Sequence, residues 1–151
     1  MGTEIRVQQD DFSVADEYQQ LAQESSCGAV VTFAGLVREL AEGQLDAMTL
    51  EHYPGMTEQV LADLVAQARG RWQLGQVTLI HRVGRLALND QIVFVGVAAP
   101  HRKAAFEAAM FIMDFLKTQA PFWKQEHTTD GSYWVAAKDT DQAAATAWQD
   151  D

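Results

Sequence analysis

The chain has 151 residues, enough for one domain with a buried core, and its 48% hydrophobic and 21% charged content is that of an ordinary globular protein. Eleven lysines and arginines against 21 aspartates and glutamates give a formal net charge of −10, which argues against a general nucleic-acid binder. No stretch approaches the roughly 18 consecutive apolar residues of a membrane span, and MGTEIRVQQDDF has neither a secretory nor a myristoylation pattern, so a cytoplasmic protein is expected.

Ile5 to Val7 reads as a short strand. Ser13 followed by Asp16 is a helix start, a cap hydroxyl with a carboxylate three positions on. Val14, Tyr18, Leu21 and Ala22 give that helix its stripe. Gly28 to Val37, rich in β-branched and aromatic residues, predicts a buried strand. The polar stretch 39–46 predicts a surface loop, and Ala47 to Tyr53 a strand. Pro54-Gly55 marks a turn, with Thr57 or a close neighbour capping a helix whose apolar face is Val60, Leu61, Leu64, Val65, Ala68 and Trp72.

Val77 to Val83 is the next strand, with Val77, Leu79, His81 and Val83 on one side. The segment RLALND reads as a turn, and QIVFVGVAA as a central strand covered on both faces. Pro100 closes it. A long helix then runs to about Lys117, with Ala105, Phe106, Ala109, Met110, Met113 and Leu116 as its buried stripe. Ile112 and Phe115 widen that stripe toward a second covered surface, a partner's among the candidates. Gln119-Ala120-Pro121 ends the helix, because the residue before proline avoids helical angles. PFWKQEH and SYWVAAK form a hairpin around 128–131, and 141–148 a terminal helix with frayed last residues. Irregular element order without βαβ repetition predicts an α+β fold with a mixed or antiparallel sheet and a C-terminal hairpin, in one domain over 1–151.

Cys27 stands alone, which excludes an intrachain disulfide and a Cys-x-x-Cys motif; beside the apolar run GAVVTF, packing is the better reading than a nucleophile. The four histidines show no ligand spacing, so no metal is expected. His81 and His52 read as packed residues. No Gly-x-Ser-x-Gly elbow, P-loop or dinucleotide fingerprint occurs.

Three segments hold five of the eleven lysines and arginines: GLVRE with Arg38, PHRKAAF with Arg102 and Lys103 beside His101 (Lys103 being set aside), and KTQAPFWKQE with Lys117 and Lys124. Cations in the first turn of a helix oppose its dipole, whereas free N–H groups beside His101 and Arg102 suit an anion such as phosphate. The competing reading is a set of solvated charges. Lys117 near a helix C-terminus is favourable without any function, and Lys124 beside Phe122 and Trp123 is open to the reading of a solubilising charge. Near apolar walls and other cations, either lysine would instead lose its proton more readily and serve as nucleophile or proton donor.

In this order, GAVVTFAGLVRE, MTLEHYPGMTE, VTLIHRVGRL, IVFVGVAAPHRKAAFEA and FIMDFLKTQAPFWKQE resemble the molybdopterin synthase large-subunit family, known as MoaE, over about Gly28 to Glu126. The resemblance implies an α/β-hammerhead type of α+β fold, and a homodimer at the centre of a heterotetramer. It implies a small ubiquitin-like sulfur carrier of the MoaD type, whose Gly-Gly C-terminus bears a thiocarboxylate. It implies sulfur transfer from that tail to cyclic pyranopterin monophosphate, forming the dithiolene of molybdopterin, with no cofactor.

By the same resemblance, Arg38, His101 and Arg102 match pterin-phosphate positions. Lys117 and Lys124 match two active-site lysines, Lys117 for the chemistry and Lys124 for positioning and charge stabilisation. Leu36, Val37, Gln125 and Glu126 fall in the binding segments. Leu36 departs from the pattern, standing where some relatives carry lysine. The loop 39–46 and the segment after Pro121 are expected to wall the channel for the carrier's tail. Two alternatives are a non-catalytic module that binds a phosphorylated pterin or the carrier, and an unrelated phosphate-ester or acyl-transfer enzyme.

Overall fold

The computed structural model describes residues 2–39, 45–129, 131–135 and 139–149. The α+β class forms as expected. Along the chain run β1 (Thr3–Gln8), α1 (Val14–Leu21), β2 (Ala29–Leu36), β3 (Leu45–His52), α2 (Met56–Arg71), β4 (Val77–Arg82), β5 (Gly84–Ala87), β6 (Gln91–Ala99), α3 (Arg102–Gln119), β7 (Phe122–Thr128), β8 (Gly131–Val135) and α4 (Asp139–Gln149). They build two four-stranded sheets. One has the order β1-β4-β6-β2, with β1 parallel to β4 and the rest antiparallel; the other, β5-β3-β7-β8, is wholly antiparallel.

Alternation along β4 and β6 divides the first sheet's faces. Val77, Leu79, Val93, Val95 and Val97 face α2 and α3 in the main core, while Ile80 and Phe94 face Phe12 and Leu21 on the α1 side. Ser13 caps α1 as expected, its hydroxyl accepting from the Asp16 amide at 3.3 Å. Gly96 lies where α1 comes close to β6: a Cβ there would meet Leu21 Cδ1 at 2.3 Å and Phe94 Cε2 at 2.8 Å.

Several expectations need correction. β2 is an edge strand, with Thr32, Phe33, Ala34 and Leu36 exposed, because β-forming composition sets a strand's conformation and not its cover. RLALND is not only a turn. Its first residues form β5, reached through Val83 and a sharp bend at Gly84, whose φ of 89° favours glycine. The turn proper is Leu88-Asn89, closed by the Asp90 carboxylate accepting from the Ala87 amide at 2.9 Å. Leu45 and Asp46 belong to β3, and 40–44 of the expected loop lie outside the described residues.

Gly55, not Thr57, is the N-cap of α2, and its amide donates to Glu58 Oε1 at 3.0 Å. Thr57 sits buried inside the first turn. Its hydroxyl accepts from the Tyr53 amide at 3.0 Å and donates to the Pro121 carbonyl at 3.3 Å, tying the start of α2 to the start of β7.

In α3, Phe106 and Met110 are exposed, whereas Ile112 and Phe115 are buried within the chain. The helix therefore turns a wider apolar face to the core than its stripe suggested, rotated away from those two residues. Part of the cover is α4. Trp148 meets Phe111 edge-on at 5.5 Å and Trp72 at 5.8 Å, and its indole N–H donates to Asp114 Oδ2 at 2.6 Å. The final residues 150–151 lie outside the described set.

His81, near the end of β4, is buried as expected and stacks on Phe122 at 3.9 Å. Burial lowers its pKa to about 4 from the ordinary 6.5, helped by the charges of Lys117 and His52 and opposed by a hydrogen bond to the Arg82 carbonyl.

Two consequences are measurable. Gly96→Ala should destabilise the fold by about 1–3 kcal/mol through overpacking against Leu21, read as a lower urea midpoint at unchanged slope. Between pH 6.5 and 4 the unfolded chain binds a proton at His81 that the folded chain refuses, so stability is full above the unfolded value and falls with pH across that window. The contribution lost is about 3 kcal/mol, and urea titrations of His81→Phe should show a flatter acid limb than the native chain.

Candidate functional site

Where the two sheets meet, beneath the C-terminal turn of α3, lies a cavity of about 250 Å³. β2 contributes Phe33, Gly35 and Leu36, β3 Met48 and Leu50, β6 Ile92 and Val93, and α3 Met113, Leu116 and Lys117. Ala120, Phe122, Lys124, Val135 and His81 complete the wall. Most of these side chains are apolar, and the two lysines and His81 are the polar ones among them.

The two lysines arrive by different routes. Lys117 occupies the last turn of α3, where a cation suits the helix dipole. The helix stops at Ala120, whose ψ of 134° is extended, and Pro121 turns the chain into β7. Phe122, Lys124 and Glu126 then share one face of β7, because alternate residues of a strand point the same way. Their register partners on β3 are His52, Leu50 and Met48. Lys124 is thus set against buried Leu50 in the wall opposite α3. Tying Pro121 to Thr57 fixes the start of this strand.

The remaining residues singled out by sequence divide clearly. Leu36 lines the cavity even though it is not a lysine. Val37 is buried in the small core with Leu45, Met48, Leu50 and Leu86. Its backbone is pinned to the β5–β6 turn: its amide donates to the Asp90 carbonyl at 2.9 Å and its carbonyl accepts from the Asn89 amide at 2.7 Å. Arg38 follows directly, exposed, two residues beyond the cavity wall. Glu126 is half-buried on the Lys124 face. Gln125, paired with Thr49 and Trp134, lies on the opposite face of the sheet.

His101 and Arg102 are exposed at the other end of α3, where His101 is the N-cap and makes no side-chain cap bond. From Arg102 to Lys117 the helix rises about 22 Å at 1.5 Å per residue. Within one chain these cations do not meet the lysines.

Reading the sequence missed one polar member of the wall. His81 belongs to the buried core and to the cavity lining at once. Its alternation with Val77 and Leu79 placed it on the core face, and only the assembly of the second sheet and of α3 brought Phe122, Lys124 and Lys117 into the same wall.

Cys27 is half-buried between Glu24 and Gly75, and its Sγ lies 3.7 Å from Glu24 Oε2. Burial pushes the thiol pKa up, and the negative charge of Glu24 adds to it. Cys27 is not part of the cavity wall. Among the described residues no three histidine, cysteine or acidic side chains gather as a metal site would need, and no helix is long and apolar enough to cross a membrane.

Comparison with known proteins gives a consistent result. The family model described as MoaE protein matches residues 7–119. The molybdopterin synthase catalytic subunit of Escherichia coli (strain K12) is 56% identical over 147 residues, covering 97% of this chain and 98% of that one. Among solved structures, the molybdopterin biosynthesis MoaE protein from Burkholderia ambifaria MC40-6 superposes with a TM-score of 0.84 at 48% identity, over 98% of this chain and 99% of that one. Molybdopterin synthase from Staphylococcus aureus gives 0.81 at 30% identity, over 86% of this chain and 95% of that one. With both a family model across most of its length and relatives identical at half their positions, the chain belongs to the MoaE protein family.

Proposed function

We propose that this chain, as one domain over 1–151, is the catalytic large subunit of a molybdopterin synthase, a sulfurtransferase acting in the cytoplasm. It takes sulfur from the C-terminal thiocarboxylate of a small ubiquitin-like carrier of the MoaD type and places it on cyclic pyranopterin monophosphate. The observation that carries this reading is the meeting of Lys117 and Lys124 in one apolar-walled cavity of a strongly acidic protein. Both the donor tail and the phosphorylated acceptor are anions, and two cations brought to one pocket complement such charges.

The chemistry assigned to each group follows from its place. A thiocarboxylate tail entering the cavity that β2, β7 and α3 line brings its carbonyl carbon and sulfur toward the two ammonium groups. Lys117 acts on the reacting centre, as a proton donor to the leaving oxygen or as an amine that briefly holds the acyl group. Lys124 holds charge and position. Leu36 and Glu126 border the path, with Val37 fixing the backbone that presents Arg38. Gln125 takes part through its backbone, since its side chain lies across the sheet. The raised Cys27 thiol is a poor nucleophile, which supports a route in which sulfur arrives on a partner.

His101 and Arg102 fit this reading through a second copy of the chain. The helix that separates them from their own lysines leaves them exposed at its far end, open to a neighbouring protomer's pocket in a homodimer within a heterotetramer. There they and the free N–H groups of α3 hold the substrate phosphate.

Two experiments test the assignment with purified chain, thiocarboxylated carrier and pterin precursor. Lys117→Ala should lower dithiolene formation on the order of 100-fold or more while melting temperature and carrier binding stay near native. Full activity in that variant rejects the catalytic role, and binding without product from the native chain supports the binding module instead. Mixing Lys117→Ala with Arg102→Ala chains, each nearly inactive alone, should restore roughly a quarter of native activity after subunit exchange. Half the dimers are then mixed, and each mixed dimer has one intact site of two. No recovery places both residues in the service of the same protomer.

A further inference from the structure

A histidine in the middle of a core wall demands explanation, since burying an imidazole costs free energy unless its nitrogens are satisfied. Nδ1 of His81 lies 2.8 Å from the Arg82 carbonyl oxygen. A carbonyl only accepts, so Nδ1 carries the ring proton and Nε2 keeps its lone pair. Phe122 stacks on the ring at an interplanar angle of 21°, fixing its plane. Among the described residues the one sealed side-chain polar atom without a partner is Nε of Arg6, so Nε2 of His81, which makes no protein hydrogen bond, is not sealed in, and the residue itself lines the cavity.

The cavity's other nitrogen-bearing side chains, Lys117 and Lys124, are donors only. Apart from weakly accepting methionine sulfur, His81 supplies the side-chain acceptor of the wall. Lys117 sits on an exposed helical turn with a flexible four-carbon stem, and a group that must act on one atom gains from being held. Burial and the nearby Lys117 charge both keep the ring neutral and able to accept.

No hydrogen bond joins Lys117 to His81 in the structure, where Lys117 is exposed. We propose that its flexible side chain swings into the cavity, where Nε2 of His81 accepts a hydrogen bond from the ammonium and fixes it, making His81 a positioning residue for the sulfur transfer. The inference rests on the catalytic reading of Lys117 given above. It leaves the other two N–H groups of the ammonium for the anionic substrate.

The test compares His81→Phe, which preserves the stack on Phe122 but cannot accept, with His81→Gln, which can. Native chain and Lys117→Ala serve as controls in the reconstituted synthase. His81→Phe should lose about 10- to 100-fold in kcat with KM for the pterin within about 3-fold, and His81→Gln should recover to within about 5-fold of native. In parallel, ¹⁵N spectra of the native chain should show Nδ1 of His81 protonated, Nε2 unprotonated, and a Lys117 Nζ signal coupled to it. A kcat for His81→Phe within 2-fold of native, an equal loss in both variants, or a protonated Nε2 overturns the proposal. If His81→Phe fails to fold, the spectra decide alone. If the native chain forms no dithiolene, the synthase reading fails, and the spectra still decide whether His81 holds Lys117.

Discussion

The bend at Gly84 is the constraint on which the rest of the molecule depends. It lets one run of chain serve two sheets: β4 lies at the centre of the first, and β5 closes the edge of the second. The left-handed backbone of Gly84 turns the chain from the first sheet into the second, and Val37's hydrogen bonds to the β5–β6 turn tie the two together again. With the bend, β3 and β7 come to stand over the end of the first sheet. The gap left between the two hydrophobic cores is the cavity, walled by residues from both sheets and by the last turn of α3.

Much of this was legible in the sequence where local and tertiary demands agree. The unbroken apolar run of β6 reads as a doubly covered strand, and Pro121 as the end of α3, and both form so. Ser13 with Asp16 named the start of α1. Legibility failed where a residue's conformation and its cover are set by different parts of the chain. β2 has strand-forming residues throughout, yet it is an edge strand that α1 covers only in part. Phe106 and Met110 match the helical period of α3, but Phe111, Ile112 and Phe115 make the wider face, and α4 from the chain's end fills in against them. β5 is four residues long and is a strand only because β3 lies beside it.

The site shows the same division. Lys117 and Lys124 were marked by their place around a helix-ending proline, and the geometry that unites them follows from that proline and the pairing of β7 with β3. His101 and Arg102 were marked by charge at a helix start, a purely local signal that says nothing about which pocket they face. An 18-residue helix is too long for its two ends to serve one small cavity in the same chain. His81 was hidden because its alternation made it indistinguishable from core until the second sheet was built over it.

The burial of Cys27 beside Glu24 has a chemical consequence for a protein of this family. A thiol held protonated exchanges slowly with thioesters, persulfides and disulfides, since only the thiolate attacks. Where activated sulfur is passed from one protein to the next, a thiol kept more fully protonated competes for it less readily. Less of the cargo is thereby open to loss into the vessel that handles it.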